Sequence, residues 1–122
     1  MSEDARTLIA KAAHDVLEEV PALKPLRLVV GVQLIGRGDV QQFRLQLPEC
    51  VVTKDIAADS KVQLEMRRDE FNKVVEVGTV AAWRQAFETG RAKATGVQQY
   101  LQLITQVAER HEERTRLRKA RH

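Results

Sequence analysis

From residue 26 to residue 47 the chain alternates. Leu26, Leu28, Val30, Val32 and Leu34 take every second place up to Gly36, and Phe43, Leu45 and Leu47 do the same beyond Asp39. Alternation of this kind sends successive side chains to opposite faces of an extended strand. Gly36-Arg37-Gly38-Asp39 supplies a turn between the two runs. The segment therefore predicts an antiparallel hairpin with one wholly apolar face, and such a face is stable only when another layer covers it.

The cover is visible on both sides of the hairpin. Leu8, Ile9, Ala12, Ala13, Val16, Leu17 and Val20 recur at spacings of three and four, which predicts an amphipathic helix over residues 3–20, with Ser2 as its cap and Pro21 as its stop. After the hairpin, Cys50, Val51 and Val52 form a short strand, and residues 61–67 alternate with Val62, Leu64 and Met66 inward. The period changes at Arg68. Phe71, Val74 and Val75 have helical spacing behind Asp69 and Glu70, where a helix dipole favours acids, and Gly78 closes that helix. Thr79 caps the next, which carries Val80, Trp83, Ala86 and Phe87 and ends at Gly90. Residues 91–95 read as a fifth strand. Past Gly96 a last helix places Val97, Tyr100, Leu101, Ile104, Val107 and Ala108 on one face. Helix, four strands, two helices, strand, helix is an α+β order, and it predicts one five-stranded antiparallel sheet covered by helices.

At 122 residues, 43% of them hydrophobic, the chain is the size of one domain and needs neither disulfide nor metal to fold. One cysteine, and a start at Ser2-Glu3-Asp4 that does not read as a secretory leader, predict a cytoplasmic setting. No apolar run approaches a membrane span. The net charge of +3 is local: residues 114–122 hold five basic residues and no acid, so the rest carries 15 basic against 17 acidic residues. The chain divides accordingly into a domain over residues 1–110 and a basic tail over residues 111–122.

Chemistry is thinly supplied. A nucleophilic triad needs Ser, Cys or Thr beside His and a carboxylate. The histidines are scattered at His14, His111 (at the frayed end of the last helix) and His122, and Cys50 sits among valines as a small hydrophobe. No Cys/His spacing suits zinc. The pairs Glu18/Glu19 and Glu112/Glu113 fall on solvated helix faces. The glycine turn leads into a strand and lacks a phosphate-binding pattern. Aromatic residues are 4% of the chain and do not interleave with the basic ones, so specific nucleic-acid binding is not expected. The sequence thus predicts neither enzyme nor cofactor. It leaves open an adaptor for nucleic acid or an anionic surface, acting through the Arg-rich C-terminal segment.

The strand SKVQLEMRRDEF, the helix closed by Gly78, the helix WRQAFETG and the segment GRAKATG carry a resemblance over residues 59–103. In order and spacing, Phe71, Gly78, Ala86, Phe87, Gly90, Lys93 and Gly96 resemble the sterol carrier protein 2 family of lipid-binding domains. The bulky Trp83 and the Arg-rich C-terminus depart from it. The resemblance implies an apolar tunnel for a fatty acyl, sterol-like or isoprenoid quinone-precursor lipid, bound without catalysis. Its wall would be Met66, Phe71, Val74, Val75, Trp83 and Phe87, closed by Leu101 and Ile104 over a floor of Leu34 and Leu45. Arg67, Arg68 or Arg91 would receive a charged head group, and the basic tail would touch an anionic membrane transiently.

Overall fold

The structure, a computed structural model, describes residues 4–120. Helix α1 spans Ala5–Glu19. Asp4 caps it, its carboxylate accepting the Arg6 backbone N–H at 3.2 Å, and the neighbouring Arg6 holds that carboxyl below its usual range. Ser2, the expected cap, lies outside the described residues. The two prolines that bracket the connector wind Pro21–Leu26 into a 3₁₀ turn, and Arg27 follows in the left-handed region at φ 47°. That turn consumes the first part of the alternating run, so β1 is Val29–Ile35 and not a strand beginning at Leu26.

Strand β2 (Val40–Gln46) pairs antiparallel with β1, Val30 opposite Leu45 and Val32 opposite Phe43. Strand β3 (Val51–Thr53) adds to the free edge of β2. Residues 54–61 then carry the chain back across the sheet, and β4 (Val62–Arg67) lies along the other edge of β1, parallel to it. Strand β5 (Ala92–Gly96) completes the order β3-β2-β1-β4-β5. The sheet is therefore mixed, and the expectation of a purely antiparallel one is corrected. Alternation specifies which residues face inward, but both edges of the first hairpin were open to a fourth strand, and β3 takes the edge next to β2.

The crossover is accommodated by Gly31. A Cβ built there would stand 3.3 Å from Ser60 Oγ and 3.5 Å from the Ala57 Cβ, so the missing side chain is what admits the loop. On the same outward face, Arg44 grips Asp59 through two hydrogen bonds of 3.1 and 2.8 Å. The guanidinium holds the Asp59 carboxyl below its ordinary value. A carboxyl depressed on folding contributes stability above its unfolded pKa of about 3.9 and loses it as pH falls through the folded value. Asp59→Asn is accordingly expected to melt below the wild type at neutral pH, with the gap closing below about pH 4. Paired melting curves across that range check it.

Helix α2 (Arg68–Val77) and helix α3 (Val80–Glu88) follow β4, with Gly78 closing the first and Thr79 Oγ1 accepting the Ala82 N–H at 3.2 Å to cap the second. Helix α4 runs Gln98–Ala120. It passes through residues 111–120, which the charge pattern assigned to a tail. The stretch contains no glycine or proline, and its Ala, Glu, Arg and Leu are strong helix formers. His111 is not frayed: its Nε2 lies 3.1 Å from Glu19 Oε2. No helix among the described residues is long and apolar enough to cross a membrane.

Candidate functional site

The sheet's inner face is ordered in rows across the strands. Leu45, Val30 and Val62 form one, Phe43, Val32, Leu64 and Ala94 the next, and Leu34, Met66 and Ala92 the third. Helix α2 seals the third row: Phe71, Val74 and Val75 are each at most 4% exposed, as are Leu34, Met66 and Ala92. The other two rows are covered only in part: Phe43, Val32, Val62 and Leu45 are buried, whereas Val30, Leu64 and Ala94 keep accessible surface. Ala94 there, like Ala92 in the sealed row, presents only a methyl group under the helical roof, while α1 lies against β2 and β3 and α4 against β5.

The space left is a cavity of about 510 Å³. Its floor is Val30, Val32, Leu45, Val62, Leu64 and Ala94 of the sheet. Ile9, Ala12, Ala13, Val16 and Leu17 of α1 form one wall, and Val80, Trp83 and Phe87 of α3 another. Leu101, Ile104 and Ala108 of α4 close the space, with Leu23, Leu28 and Leu47 at its base. Phe71 reaches it from α2 and meets the Trp83 ring edge-on, centroids 6.0 Å apart; Trp83 and Phe87 stand 6.5 Å apart in turn. The polar lining residues are Arg84, Glu88, Thr105, Glu109 and Glu112 of α3 and α4.

Of the residues the sequence singled out, Leu45, Phe71, Trp83, Phe87, Leu101 and Ile104 line this cavity. Leu34, Met66, Val74 and Val75 lie outside its lining: Val74 and Val75 project from α2, and all four are buried in the hydrophobic core. Alternation tells which face of a strand a residue takes, but only the pairing of β4 with β1 tells which row lies beneath α2. The contribution of α1 was missed as wall, although its small Ala12 and Ala13 on an apolar face were a usable signal.

Arg67, Arg68 and Arg91 also lie away from the cavity lining. Arg67 pairs with Asp69 at 3.5 Å, Arg68 donates to Asn72 Oδ1 at 3.2 Å, and Arg91 reaches Glu70 at 3.3 Å. The arginine at the cavity is Arg84, 2.7 Å from Glu112. Glu19 and Glu112, expected on solvated faces, instead tie helices together. Glu19 Oε1 accepts the Val80 N–H at 2.9 Å while its second oxygen meets His111, so a single carboxylate joins α1, α3 and α4.

The nucleophile candidates have ordinary surroundings. Cys50 is half-buried with its Sγ directed at the Pro48 carbonyl oxygen, and burial pushes its thiol pKa up, away from the reactive thiolate. His14 is exposed, 3.9 Å from Glu18. Among the described residues no group of three or more His, Cys, Asp or Glu is placed to hold a metal ion.

A mixed five-stranded sheet roofed by helices over an apolar cavity defines an α+β fold with solved counterparts. The crystal structure of sterol carrier protein 2 like 2 from Aedes aegypti superposes with a TM-score of 0.58 at 18% identity, covering 84% of this chain and 92% of that one. The sterol carrier protein domain 2 of Helicoverpa armigera gives 0.58 at 13% identity over 91% and 94% of the two chains. The palmitated sterol carrier protein 2 like 2 from Aedes aegypti gives 0.56 at 15% over 84% and 93%. The chain has the sterol carrier protein 2 fold. No family model matches its sequence, and no curated protein does.

Proposed function

We propose that the protein is a non-enzymatic lipid-binding and lipid-transfer protein of the cytoplasm, which takes an acyl, sterol-like or isoprenoid chain into the cavity as its tunnel. The cavity carries this reading. Its volume of about 510 Å³ is within the roughly 300–1,000 Å³ of small-molecule sites, and its floor and most of its wall are aliphatic or aromatic. Moving a chain from water into such a space yields about 0.8 kcal/mol per buried methylene, so affinity requires no reacting group. A palmitated protein among the structural counterparts is in keeping with a ligand that has a long apolar chain. The basic end of α4 is the part that would meet an anionic membrane during loading, at about 1 kcal/mol per Lys or Arg.

Trp83 is the only tryptophan and lines the cavity, which makes it the reporter. Titrating the delipidated chain with acyl, sterol and isoprenoid lipids is expected to change its emission saturably for one class. A ligand at 100 times its dissociation constant adds about 2.7 kcal/mol, a rise in Tm on the order of 10 °C for a domain of this size. No change in emission or Tm with any lipid would mean that the cavity is only loosely packed core.

A further inference from the structure

The head group that such a lipid carries is constrained by the polar side of the cavity. Three carboxylates line it, Glu88, Glu109 and Glu112, against the single guanidinium of Arg84. That guanidinium is already engaged, its Nε 2.7 Å from Glu112 and its Nη1 3.5 Å from Glu88. Glu109 is exposed and has no ion-pair partner among the described residues. The Thr105 hydroxyl donates to the Leu101 carbonyl oxygen at 2.9 Å, which occupies its proton.

Resting on the lipid reading above, we infer that the cavity selects amphiphiles whose head is uncharged and donates a hydrogen bond, as an alcohol does, and rejects those ending in a carboxylate or phosphate. An anionic head entering here meets excess negative charge and would have to break the Arg84–Glu112 pair to find a cation among the lining residues. Like charges brought together are unfavourable, and the half-buried Glu112 is the carboxylate least screened by water. A hydroxyl has the opposite fit, because carboxylates only accept hydrogen bonds: Glu109 has no ion-pair partner among the described residues, and Glu88 meets Arg84 at 3.5 Å through one oxygen only. The same chain length can therefore be accepted or refused according to the charge at its end.

The test compares 1-hexadecanol with palmitate, delivered from cyclodextrin to the full delipidated chain at about pH 8, where the acid is ionised. Trp83 emission and Tm are the readouts. Hexadecanol is expected to bind saturably and palmitate at least about tenfold more weakly, with the gap narrowing in E88Q/E109Q, whose two sites are exposed and outside the core. Palmitate binding as tightly as the alcohol, or a gap unmoved by the double substitution, overturns the inference while leaving the lipid reading in place. No saturable response to either ligand overturns the lipid reading, and the head-group inference with it.

Discussion

Gly96→Ala is expected to cost about 3 kcal/mol or more, enough to unfold much of the protein at ordinary temperature. Gly96 ends β5 at φ 139°, a conformation that side chains rarely adopt, and it sits directly opposite Val62 in the ladder. A Cβ built there overlaps the Lys61 carbonyl oxygen and stands 2.9 Å from the Val62 Cα. Both are backbone atoms where the neighbouring strand begins. The Lys61 carbonyl cannot swing aside freely either, since it accepts the Val97 N–H at 2.9 Å, the bond that launches α4. Relief must come from pulling β5 off β4, which would lift α4 from the cavity. Gly90→Ala is the matched control: its φ of 77° is also left-handed, but nothing lies within 4 Å of the added carbon. It pays conformational strain alone, about 1 kcal/mol. Thermal and urea unfolding of the two variants separate the terms, and equal melting temperatures would mean that β5 yields to the clash without cost.

The glycine shows how far local pattern reaches. Its place in the chain, between a short basic strand and a closing helix, was readable, as were the apolar helix ahead of the hairpin, the change of period at Arg68, and the Gly78 and Thr79 boundaries between α2 and α3. Each depends on residues within a few positions of one another. What was not readable depends on chain segments far apart. The parallel union of β1 with β4 follows from a crossover over Gly31, and no period in residues 62–67 reports which strand they will meet. The same limit applies to the partners of α4: Glu19 and Arg84, almost a hundred and about thirty positions earlier in the chain, meet His111 and Glu112. In the site, the row a residue joins is set in the same way. Met66 and Leu64 alternate on one strand and face the same way, yet Met66 is sealed under α2 and Leu64 lines the cavity.

That distinction between filled and unfilled rows predicts that two substitutions will act in opposite directions. Ala108→Phe places a ring from α4 into the cavity and leaves Trp83 as the reporter. Displacing even four methylenes of a ligand at about 0.8 kcal/mol each removes about 3 kcal/mol, so lipid affinity is expected to fall more than about 100-fold. Stability should hold or rise, because the ring buries apolar surface in space that no side chain fills. Met66→Ala works in reverse. Met66 is 2% exposed in the sealed row, and truncating it leaves a hole among well-packed neighbours, a loss of about 2–5 kcal/mol. Below its lowered melting point this variant should still take up lipid with near wild-type affinity, since no atom of the cavity lining has changed. Calorimetric melting and Trp83 titration of both proteins read the two axes separately. If Met66→Ala lost uptake while still folded and Ala108→Phe retained it, the ligand would occupy the row beneath α2, and the cavity between α1, α3 and α4 would not be its site.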